Sequence, residues 1–351
     1  MKIGIDISQI VYGTGVSLYT KQLVENLLKI DTQNQYVLFG GSLRRKQDIL
    51  NLFPQSKVFP IPPTLADLVW NRLHVMPVEK LIGEIDVLHT SDWTEPPSKA
   101  FKVATVHDLY SLKFPRMIDP LIREVHKRKL AWVFKESSRV IVPSKATKDD
   151  LIGFGMDENK IRVIQEAPNL EKATSAEVEK TKQKYGITGD YVIAIGITKL
   201  KNTENIIKAF DLARHGQDIK LLLVGRPVGV KLEVVRNVRN LGYIESDELS
   251  PLLTGSRGLI FPSIYEGFGV PILEAFNCGV PVVTSNIGSM LEVAGDAAVL
   301  VDPYNVNSIA EGIIKALKGP KGLIEKGTSR VKQFSWEDTA RKTLEVYMEA
   351  K

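Results

Sequence analysis

The stretch from Arg257 to Asn286 constrains the fold of this chain more than any other. It reads RGLIFPSIYEGFGVPILEAFNCGVPVVTSN. The short apolar runs 259–261 and 280–284 are bounded by glycine and proline, which is typical of strands buried on both faces of a parallel sheet. Between these runs, a glycine loop at 267–269 precedes a helix that begins near Pro271. Strand, glycine loop, helix and strand in so short a segment predict a βαβ unit of an α/β protein.

The start of this helix is predicted to bind an anion. With Pro271 as the first helical residue, the capping position falls on Val270, whose side chain offers no acceptor for the free N–H groups of the first turn. Such a helix start after a glycine loop is where a phosphate is expected. Glu266 and Glu274 flank the loop. Taken singly, they read as a solvated loop residue and as an acid favoured by the helix dipole. A diphosphate would repel them, so together they favour hydroxyl partners, and the segment predicts a nucleotide sugar as ligand.

The segment from Glu266 to Glu274 resembles the E-x7-E motif of the GT4 family of retaining glycosyltransferases, which have the GT-B fold. The string EGFGVPILEAFNCGVPVVTS matches that family's pattern at almost every position. The resemblance implies an α/β protein of the GT-B class, with two doubly wound, Rossmann-like parallel-sheet domains that face a cleft. It further implies that the second domain binds the nucleotide sugar and that the first lies on the acceptor side.

Length and composition fit two ordinary globular domains. A chain of 351 residues with 44% apolar and 25% charged residues is long enough for two full cores. The single cysteine, Cys278, excludes an internal disulfide and favours a reducing compartment. The N-terminus enters a strand pattern directly and no apolar run is long enough to span a bilayer, so we expect a cytoplasmic protein. The net charge of +5 suits anionic nucleotides, an anionic membrane face or no special partner, and no nucleic-acid motif is present.

Strand and helix patterns alternate along both halves of the chain, which predicts two doubly wound domains. The first is expected over residues 1–168, with a linker around Pro168 and Asn169, and the second over residues 169–334. For residues 335–351, the GT-B resemblance implies a C-terminal helix that packs back on the N-terminal domain.

Two positions in the first domain are candidates for the site. Gly15 follows the first strand, but the dinucleotide-binding fingerprint G-x-G-x-x-G is absent, because Leu18 stands where its third glycine would be. The loop resembles the N-terminal glycine loop of GT4 enzymes, which lies near the donor diphosphate and the acceptor; a simple tight turn is the alternative. His107, followed by Asp108, resembles the histidine that lies at the donor sugar in GT4 enzymes. The alternative is a hydrogen-bonded structural histidine.

A helix predicted from Leu121 to Ser137 carries the strongest basic cluster of the first domain, including His126, Lys127, Arg128 and Lys129. Such a cluster is usually a solvated face. The alternative is contact with anionic lipid, which contributes about 1 kcal/mol for each basic residue near the surface.

In the second domain, the loop that begins at Gly196 is similar to the phosphate loop of GT4 enzymes. The resemblance assigns the lysine of that loop to Lys201, and a lysine between strand and helix is well placed to meet phosphate oxygens. The chain departs from the family at Ile197, where many members carry an arginine. Lys199 is the candidate to replace that charge, and a solvated loop lysine is the alternative.

The resemblance assigns three residues to catalysis: His107, Glu266 and Lys201. Backbone groups around Tyr243 and Ile244 are implied to contact the nucleobase. The full predicted donor-binding set is Gly15, Gly196, Lys199, Lys201, Tyr243, Ile244, Gly267, Phe268, Gly269, Val270, Pro271 and Glu274.

The resemblance implies transfer of a hexose, with retention of anomeric configuration, to a glycan or lipid-linked acceptor of the cell envelope. We expect no cofactor and no metal, because an Asp-x-Asp ligand pair is absent near these loops and the helix start with its lysine takes the ion's place. GDP-mannose is the first candidate donor and a UDP-sugar the second, and peripheral contact with the inner membrane face stays open. A nucleotide-sugar epimerase of the same fold and a non-catalytic nucleotide-sugar-binding protein are the alternatives. The missing fingerprint disfavours a dehydrogenase.

Overall fold

A computed structural model describes residues 1–232, 234–319 and 321–351. The chain forms two compact units, one of residues 1–166 together with 335–351 and one of residues 167–334. None of the helices in the described ranges combines the length and the apolar character that crossing a membrane requires.

The first unit is a parallel sheet with helices on both sides. Its strands and helices, in chain order up to residue 166, are β1 (Lys2–Asp6), α1 (Gly15–Ile30), β2 (Gln35–Gly41), α2 (Lys46–Leu52), β3 (Lys57–Phe59), α3 (Pro63–Ala66), α4 (Glu79–Ile82), β4 (Val87–Thr90), β5 (Phe101–Thr105), α5 (Tyr110–Lys113), α6 (Pro120–Glu136), β6 (Arg139–Val142), α7 (Lys145–Gly153) and β7 (Ile161–Val163). A π-helical turn, Asp67–Arg72, follows α3.

Its seven strands lie in the order β3-β2-β1-β4-β5-β6-β7. The sequence order reverses between β1 and β4, which pair in parallel with Ile3 opposite Val87. In a doubly wound sheet, ligands bind outside the carboxyl ends of the strands at such a reversal. The loops that follow β1 and β4 therefore border the expected binding crevice of this unit.

The second unit repeats this plan with six strands in the order β10-β9-β8-β11-β12-β13. Its elements are α8 (Ser175–Lys184), β8 (Tyr191–Thr198), α9 (Thr203–Arg214), β9 (Lys220–Val228), β10 (Val238–Gly242), α10 (Ser246–Thr254), β11 (Leu259–Phe261), α11 (Val270–Asn277), β12 (Val282–Ser285), α12 (Gly288–Ala294), β13 (Val299–Val301), α13 (Val306–Leu317) and α14 (Lys321–Val331). The order reverses between β8 and β11, which pair in parallel at Ile193 and Leu259.

The core of the second unit explains its sheet. The apolar strands predicted around 259–261 and 280–284 are central. Ile260 and Val283, which lie opposite each other in the pairing of β11 with β12, are fully buried in one core with residues of α9 and α13. On one face, α13 lies so close that a Cβ added at Gly312 would stand 2.5 Å from a methyl group of Val301. The predicted α/β architecture of two doubly wound parallel sheets is thus confirmed.

The last helix, α15 (Trp336–Met348), belongs to the first unit. Trp336 lies edge-on to Tyr19 of α1 with ring centroids 5.8 Å apart. Near the other end, the hydroxyl group of Tyr347 lies 2.6 Å from Nδ1 of the buried His89 in β4. The helix therefore completes the core of the first unit, although the whole second unit lies between it and the strands of that sheet in the sequence.

Candidate active-site residues

The glycine loop of the second unit ends in a helix start that no side chain caps. Gly269 is the capping residue, with φ of 116°, and α11 begins at Val270 with Pro271 second. The predicted positions, Pro271 first and Val270 as cap, are therefore wrong by one residue. Only glycine adopts such a φ without strain, so the cap falls where the chain can turn left-handed. The first-turn N–H groups of α11 have no side-chain acceptor from the cap, which leaves an arrangement that favours an anion.

Lys201 and Glu266 meet at the point where the strand order reverses. Lys201 follows β8, Glu266 follows β11, and their Nζ and Oε1 atoms lie 2.7 Å apart. The two groups form an ion pair, and the ammonium keeps further N–H donors and the carboxylate its second oxygen for a ligand. Nζ also lies 4.6 Å from the centroid of the Phe261 ring. The structure thus brings these two predicted catalytic residues together.

Gly196 allows Lys201 to reach this position. It lies within β8 with φ of 85°, and a Cβ added there would stand 3.0 Å from Cγ and Cε of Lys201. The lysine stem therefore passes over the glycine, which acts as a support for it. Lys199, by contrast, has an exposed side chain, and among the described residues its ammonium has no carboxylate within 4.0 Å.

Glu274 lies inside α11 and is buried, with 7% of its surface exposed. Burial raises the pKa of its carboxyl to about 7, against the opposing effect of a hydrogen bond from the backbone N–H of Asn169. Asn169 was predicted only as part of the linker. Its side-chain oxygen is buried and has no hydrogen-bond partner in the described part of the chain. The entry segment of the second unit therefore contributes to the surroundings of this carboxylate.

The other predicted donor-binding residues divide between exposed and packed positions. Tyr243, just after β10, is 48% exposed, and the guanidinium of Arg226 lies 5.8 Å from its ring centroid. Its neighbour Ile244 is buried. Phe268 is buried too, and its ring lies edge-on to Phe334 at 6.0 Å. Phe268 therefore helps to hold the glycine loop against the body of the unit.

In the first unit, the predicted glycine loop ends in a helix start that the protein caps itself. Gly15 is the first residue of α1, and the hydroxyl group of Thr14 accepts a hydrogen bond from the backbone N–H of Ser17 at 3.3 Å. The hydroxyl of Ser17 in turn accepts one from the backbone N–H of Thr14, which completes a capping box. The two glycine loops therefore differ, because only the one before α11 lacks a side-chain cap.

His107 lies just beyond β5 and is held on both ring nitrogens. Its Nε2 is 3.0 Å from the hydroxyl oxygen of Ser91, and its Nδ1 is 3.3 Å from a carboxylate oxygen of Glu166. The ring of Tyr19 lies edge-on to the imidazole at 4.6 Å. These contacts fix the orientation of the imidazole, whichever of its nitrogens carries the proton.

His107 also lines a cavity of about 420 Å³ in the first unit. Its wall includes residues from the loops after β1, β4 and β5, from the start of α5 and from α6, among them Tyr12, Asp92, Trp93, Tyr110, His126 and Lys129. The predicted helix Leu121–Ser137 is observed one residue earlier, because Asp119 caps it and Pro120 opens it. The expected solvated face is wrong for Lys129, which is buried.

The burial of Lys129 could have been predicted from the sequence. Ile122, His126, Lys129, Leu130 and Val133 follow one another at helical spacing, so Lys129 stands in the apolar stripe of α6. Burial lowers the pKa of Lys129, and nearby carboxylates, Glu95 first, oppose that shift. A basic residue inside an apolar stripe indicates a buried charge. The number of basic residues in the segment does not reveal this, because it ignores which face of the helix each residue occupies.

Two family models match the chain in succession. Residues 13–172 match the family described as Glycosyltransferase Family 4, and residues 177–332 match the one described as Glycosyl transferases group 1. The first match lies almost wholly in the first unit and the second lies within the second unit. Among the described residues, no group of three or more His, Cys, Asp or Glu side chains is arranged to hold a metal ion.

Relatives and solved structures agree with these matches. O-antigen chain mannosyltransferase B of Escherichia coli is 42% identical over 113 residues, which is 31% of this chain but only 30% of that protein. An uncharacterized glycosyltransferase of Methanocaldococcus jannaschii is 25% identical over 370 aligned positions, covering 95% of this chain and 94% of that protein. The crystal structure of Anabaena HepE in complex with UDP and glucose matches with a TM-score of 0.74 at 17% identity, over 99% of this chain and 100% of that one. This last likeness shows a common fold, GT-B.

Proposed function

The chain belongs to the glycosyl transferases group 1 family, and from that premise we propose that it moves mannose from a nucleoside-diphosphate sugar to a glycan or lipid-linked acceptor, with retention of anomeric configuration. The observation that carries the proposal is the Lys201–Glu266 pair beside the uncapped start of α11. A cation and a free helix start suit a diphosphate, and carboxylates suit the hydroxyls of the two sugars of the donor.

In this proposal the second unit stabilises the leaving group. Backbone N–H groups at the start of α11, that of Val270 among them, donate hydrogen bonds to the diphosphate oxygens, and Lys201 neutralises the charge that grows as the glycosidic bond breaks. Removing one such donor from an enzyme typically costs a factor of about 10² to 10³ in rate. No metal is needed in this scheme, because the helix start and the lysine supply the positive charge.

The carboxylates and the histidine orient the sugars. Glu274 accepts hydrogen bonds from the ribose hydroxyls, and Glu266 accepts them from the transferred hexose or stabilises its cationic face. His107 hydrogen-bonds a hydroxyl of the hexose. The acceptor hydroxyl attacks the face from which the diphosphate leaves, its proton passes to the departing phosphate oxygen, and the configuration at the anomeric carbon is kept.

Mannose is proposed as the transferred sugar because the 42% identical relative is a mannosyltransferase. GDP-mannose is therefore the first candidate for the donor. A UDP-sugar is the competing candidate, since the structure of similar fold from Anabaena holds UDP. The backbone groups near Tyr243 and Ile244 are the proposed contacts of the base. Because every residue type has these groups, the sequence there does not identify the base, and nucleotide binding must be measured.

A peripheral contact with an anionic membrane is proposed for the first unit. Leu121 at the start of α6 is 79% exposed, and Leu73, just after the π-helical turn, is 60% exposed. The two segments are neighbours, since Arg128 of α6 donates hydrogen bonds to Asp67 of that turn. Exposed leucines beside basic residues such as Lys127 suit a lipid surface. Co-sedimentation with phosphatidylglycerol vesicles, but not with phosphatidylcholine vesicles, is the expected result.

Thermal melting with a panel of nucleoside diphosphates tests the donor. A nucleotide at a hundred times its dissociation constant should add about 2.7 kcal/mol of stability. We expect a clear shift with GDP and a smaller one with UDP, and then transfer of mannose from GDP-mannose to a mannoside acceptor, followed by product NMR to read the anomeric configuration. Failure of every diphosphate to stabilise the protein contradicts the proposal. Epimerised or hydrolysed donor without any glycoside product would identify an epimerase or hydrolase instead.

A further inference from the structure

The imidazole of His107 faces two oxygen atoms that differ in hydrogen-bonding character. Its Nδ1 lies 3.3 Å from Oε1 of Glu166, and its Nε2 lies 3.0 Å from the hydroxyl oxygen of Ser91. An ionised carboxylate can only accept hydrogen bonds, whereas a serine hydroxyl can donate or accept. Because Nδ1 faces the carboxylate, this nitrogen carries the proton when the ring is neutral. Nε2 is then an acceptor, and the Ser91 hydroxyl donates to it.

Glu166 is well placed to act on the histidine in this way. It is the last residue of the first unit, and only 10% of its side chain is exposed. The backbone beside it is anchored, because the hydroxyl group of Thr339 in α15 donates a hydrogen bond of 2.7 Å to the carbonyl oxygen of Gln165. Among the described residues, no lysine or arginine nitrogen lies within 4.0 Å of the Glu166 carboxylate. The carboxylate therefore meets the imidazole without competition from a stronger cation.

The orientation of the His107 ring is held by its surroundings as well. The ring of Tyr19 lies edge-on to it with centroids 4.6 Å apart, and the Tyr19 hydroxyl lies 3.3 Å from that of Thr105. A half-turn of the imidazole would place a C–H group opposite Glu166 and another opposite Ser91. Both hydrogen bonds would then be lost in a place where little water can replace them, since 15% of the histidine side chain is exposed.

We infer that Glu166 is a positioning residue that holds the neutral His107 ring in its Nδ1–H tautomer, so that Nε2 accepts a hydrogen bond from the sugar. The inference rests on the proposed transferase function, in which His107 hydrogen-bonds a hydroxyl of the hexose. The hydrogen bond at one ring nitrogen of a histidine determines what the other nitrogen can do. In the free protein Ser91 donates to Nε2, and in the donor complex a hexose hydroxyl takes its place. Glu166 acts through the histidine and does not touch the sugar.

Nitrogen-15 NMR of the full chain, labelled in its histidine rings, tests the tautomer directly. The signals of His107 are identified among those of five histidines by their loss in His107→Asn. At the high-pH end of a titration, we expect the proton on Nδ1 in the parent and also in Ser91→Ala, which removes only the partner of Nε2. Glu166→Leu removes the acceptor and should move the proton to Nε2, where Ser91 can accept it. A parent ring with its proton on Nε2 would overturn the inference, and so would an unchanged tautomer in Glu166→Leu.

Kinetics separate positioning from a purely structural role. Glu166→Leu should lower kcat for sugar transfer tenfold or more. Glu166→Gln, whose amide oxygen can still accept from Nδ1, should keep the Nδ1–H tautomer and lose less activity. Glu84→Gln removes an exposed carboxylate of the same unit and is the matched control, with an expected change in kcat of less than twofold. Equal losses of activity in Glu166→Leu and Glu166→Gln, both with unchanged tautomer, would contradict positioning through the ring.

The inference and the proposed function can fail separately. The NMR measurement needs no substrate, so the parent and Glu166→Gln decide the tautomer even if Glu166→Leu does not fold. Nucleoside diphosphate affinity, which the proposed function assigns to the second unit, should be the same in the parent and in every folded variant. Absence of sugar transfer by the parent would contradict the transferase proposal, whereas full transfer activity of Glu166→Leu would overturn the positioning role alone.

Discussion

The ammonium of Lys201 and the carboxylate of Glu266 are 2.7 Å apart although 65 positions separate them in sequence, since each follows one of two neighbouring strands, β8 and β11. The ammonium of Lys201 fixes the carboxylate of Glu266, and this contact keeps the side chain of Lys201 extended over Gly196. Neither side chain is fully buried, with 26% and 15% exposed. The pair is therefore ordered before a ligand arrives, which reduces the entropy lost on binding.

Replacement of Lys201 by methionine should lower kcat by a factor of about 10² to 10³, because the leaving diphosphate loses its cation. Steady-state transfer of mannose measures the effect. Lys199→Met is the matched control, since that lysine is two residues away and its side chain is exposed. It should change kcat no more than threefold. A larger loss with Lys199→Met than with Lys201→Met would reverse the assignment of the phosphate-binding lysine.

The stability of the protein should carry a pH signature of Glu274. The carboxyl ionises near its ordinary pKa of 4.5 in the unfolded chain, but burial raises the pKa to about 7 in the folded protein. The folded state therefore binds the proton more tightly, and folding becomes less favourable as pH rises from 4.5 to 7. Glu274→Gln cannot ionise, so its stability relative to the parent should rise across this window, by on the order of 3 kcal/mol at its upper end.

Urea unfolding of both proteins at a series of pH values measures this difference. The m-values should agree, so that only the free energy of unfolding changes. A difference that stays flat from pH 4.5 to 7 would show that Glu274 is already ionised in the folded protein. The same variant should also bind nucleoside diphosphates more weakly at pH 8, where the parent presents the carboxylate.

Tyr347→Phe should destabilise the first unit by about 1 to 3 kcal/mol, the usual cost of leaving a buried polar atom unsatisfied. The Tyr347 hydroxyl is 2.6 Å from Nδ1 of His89, and Nε2 of the same ring is 2.8 Å from the hydroxyl of Thr105. Burial lowers the pKa of His89 to about 3, so the ring is neutral and depends on both partners. Tyr304→Phe, at a position 65% exposed, is the control and should be neutral in thermal melting. Equal melting temperatures for the two variants would refute the prediction.

Gly312→Ala should destabilise the second unit, whereas Gly322→Ala should not. A Cβ at Gly312 in α13 would stand 2.5 Å from Val301 and 2.9 Å from Val283, so the helix must move off the sheet. Overpacking of this kind typically costs about 1 to 3 kcal/mol. At Gly322 in α14 the added methyl group meets no atom within 4 Å, and alanine should favour the helix by roughly 0.5 to 1 kcal/mol. Denaturant unfolding should therefore shift the two midpoints in opposite directions.

The fold was predictable because its central strands are buried on both faces and read as short apolar runs. Those at 259–261 and 280–284 are neighbours in the sheet, as expected. The edge strand β3 was not foreseen, since it has only three residues and none of them is fully buried. An edge strand pairs on one side, through backbone groups, and therefore leaves little pattern in its side chains.

Individual site residues could be predicted where the charge of a side chain determines its role. Lys201 and Glu266 were chosen for charge and loop position, and the structure places them in contact. Backbone conformation was harder: whether Gly269 or Val270 ends the loop depends on a single φ angle. Lys129 was missed because the surrounding charges suggested a surface, whereas its burial depends on the rotation of α6 against the sheet.

The position of α15 has a consequence for biosynthesis. All strands of the first sheet precede residue 167 in the sequence. His89 and Tyr19, however, contact Tyr347 and Trp336, which are synthesised only after the whole second unit. At about 5 to 20 residues per second, this delay is on the order of 10 to 30 seconds. Until α15 has been synthesised, the surface of α1 that it covers in the folded protein lacks this cover.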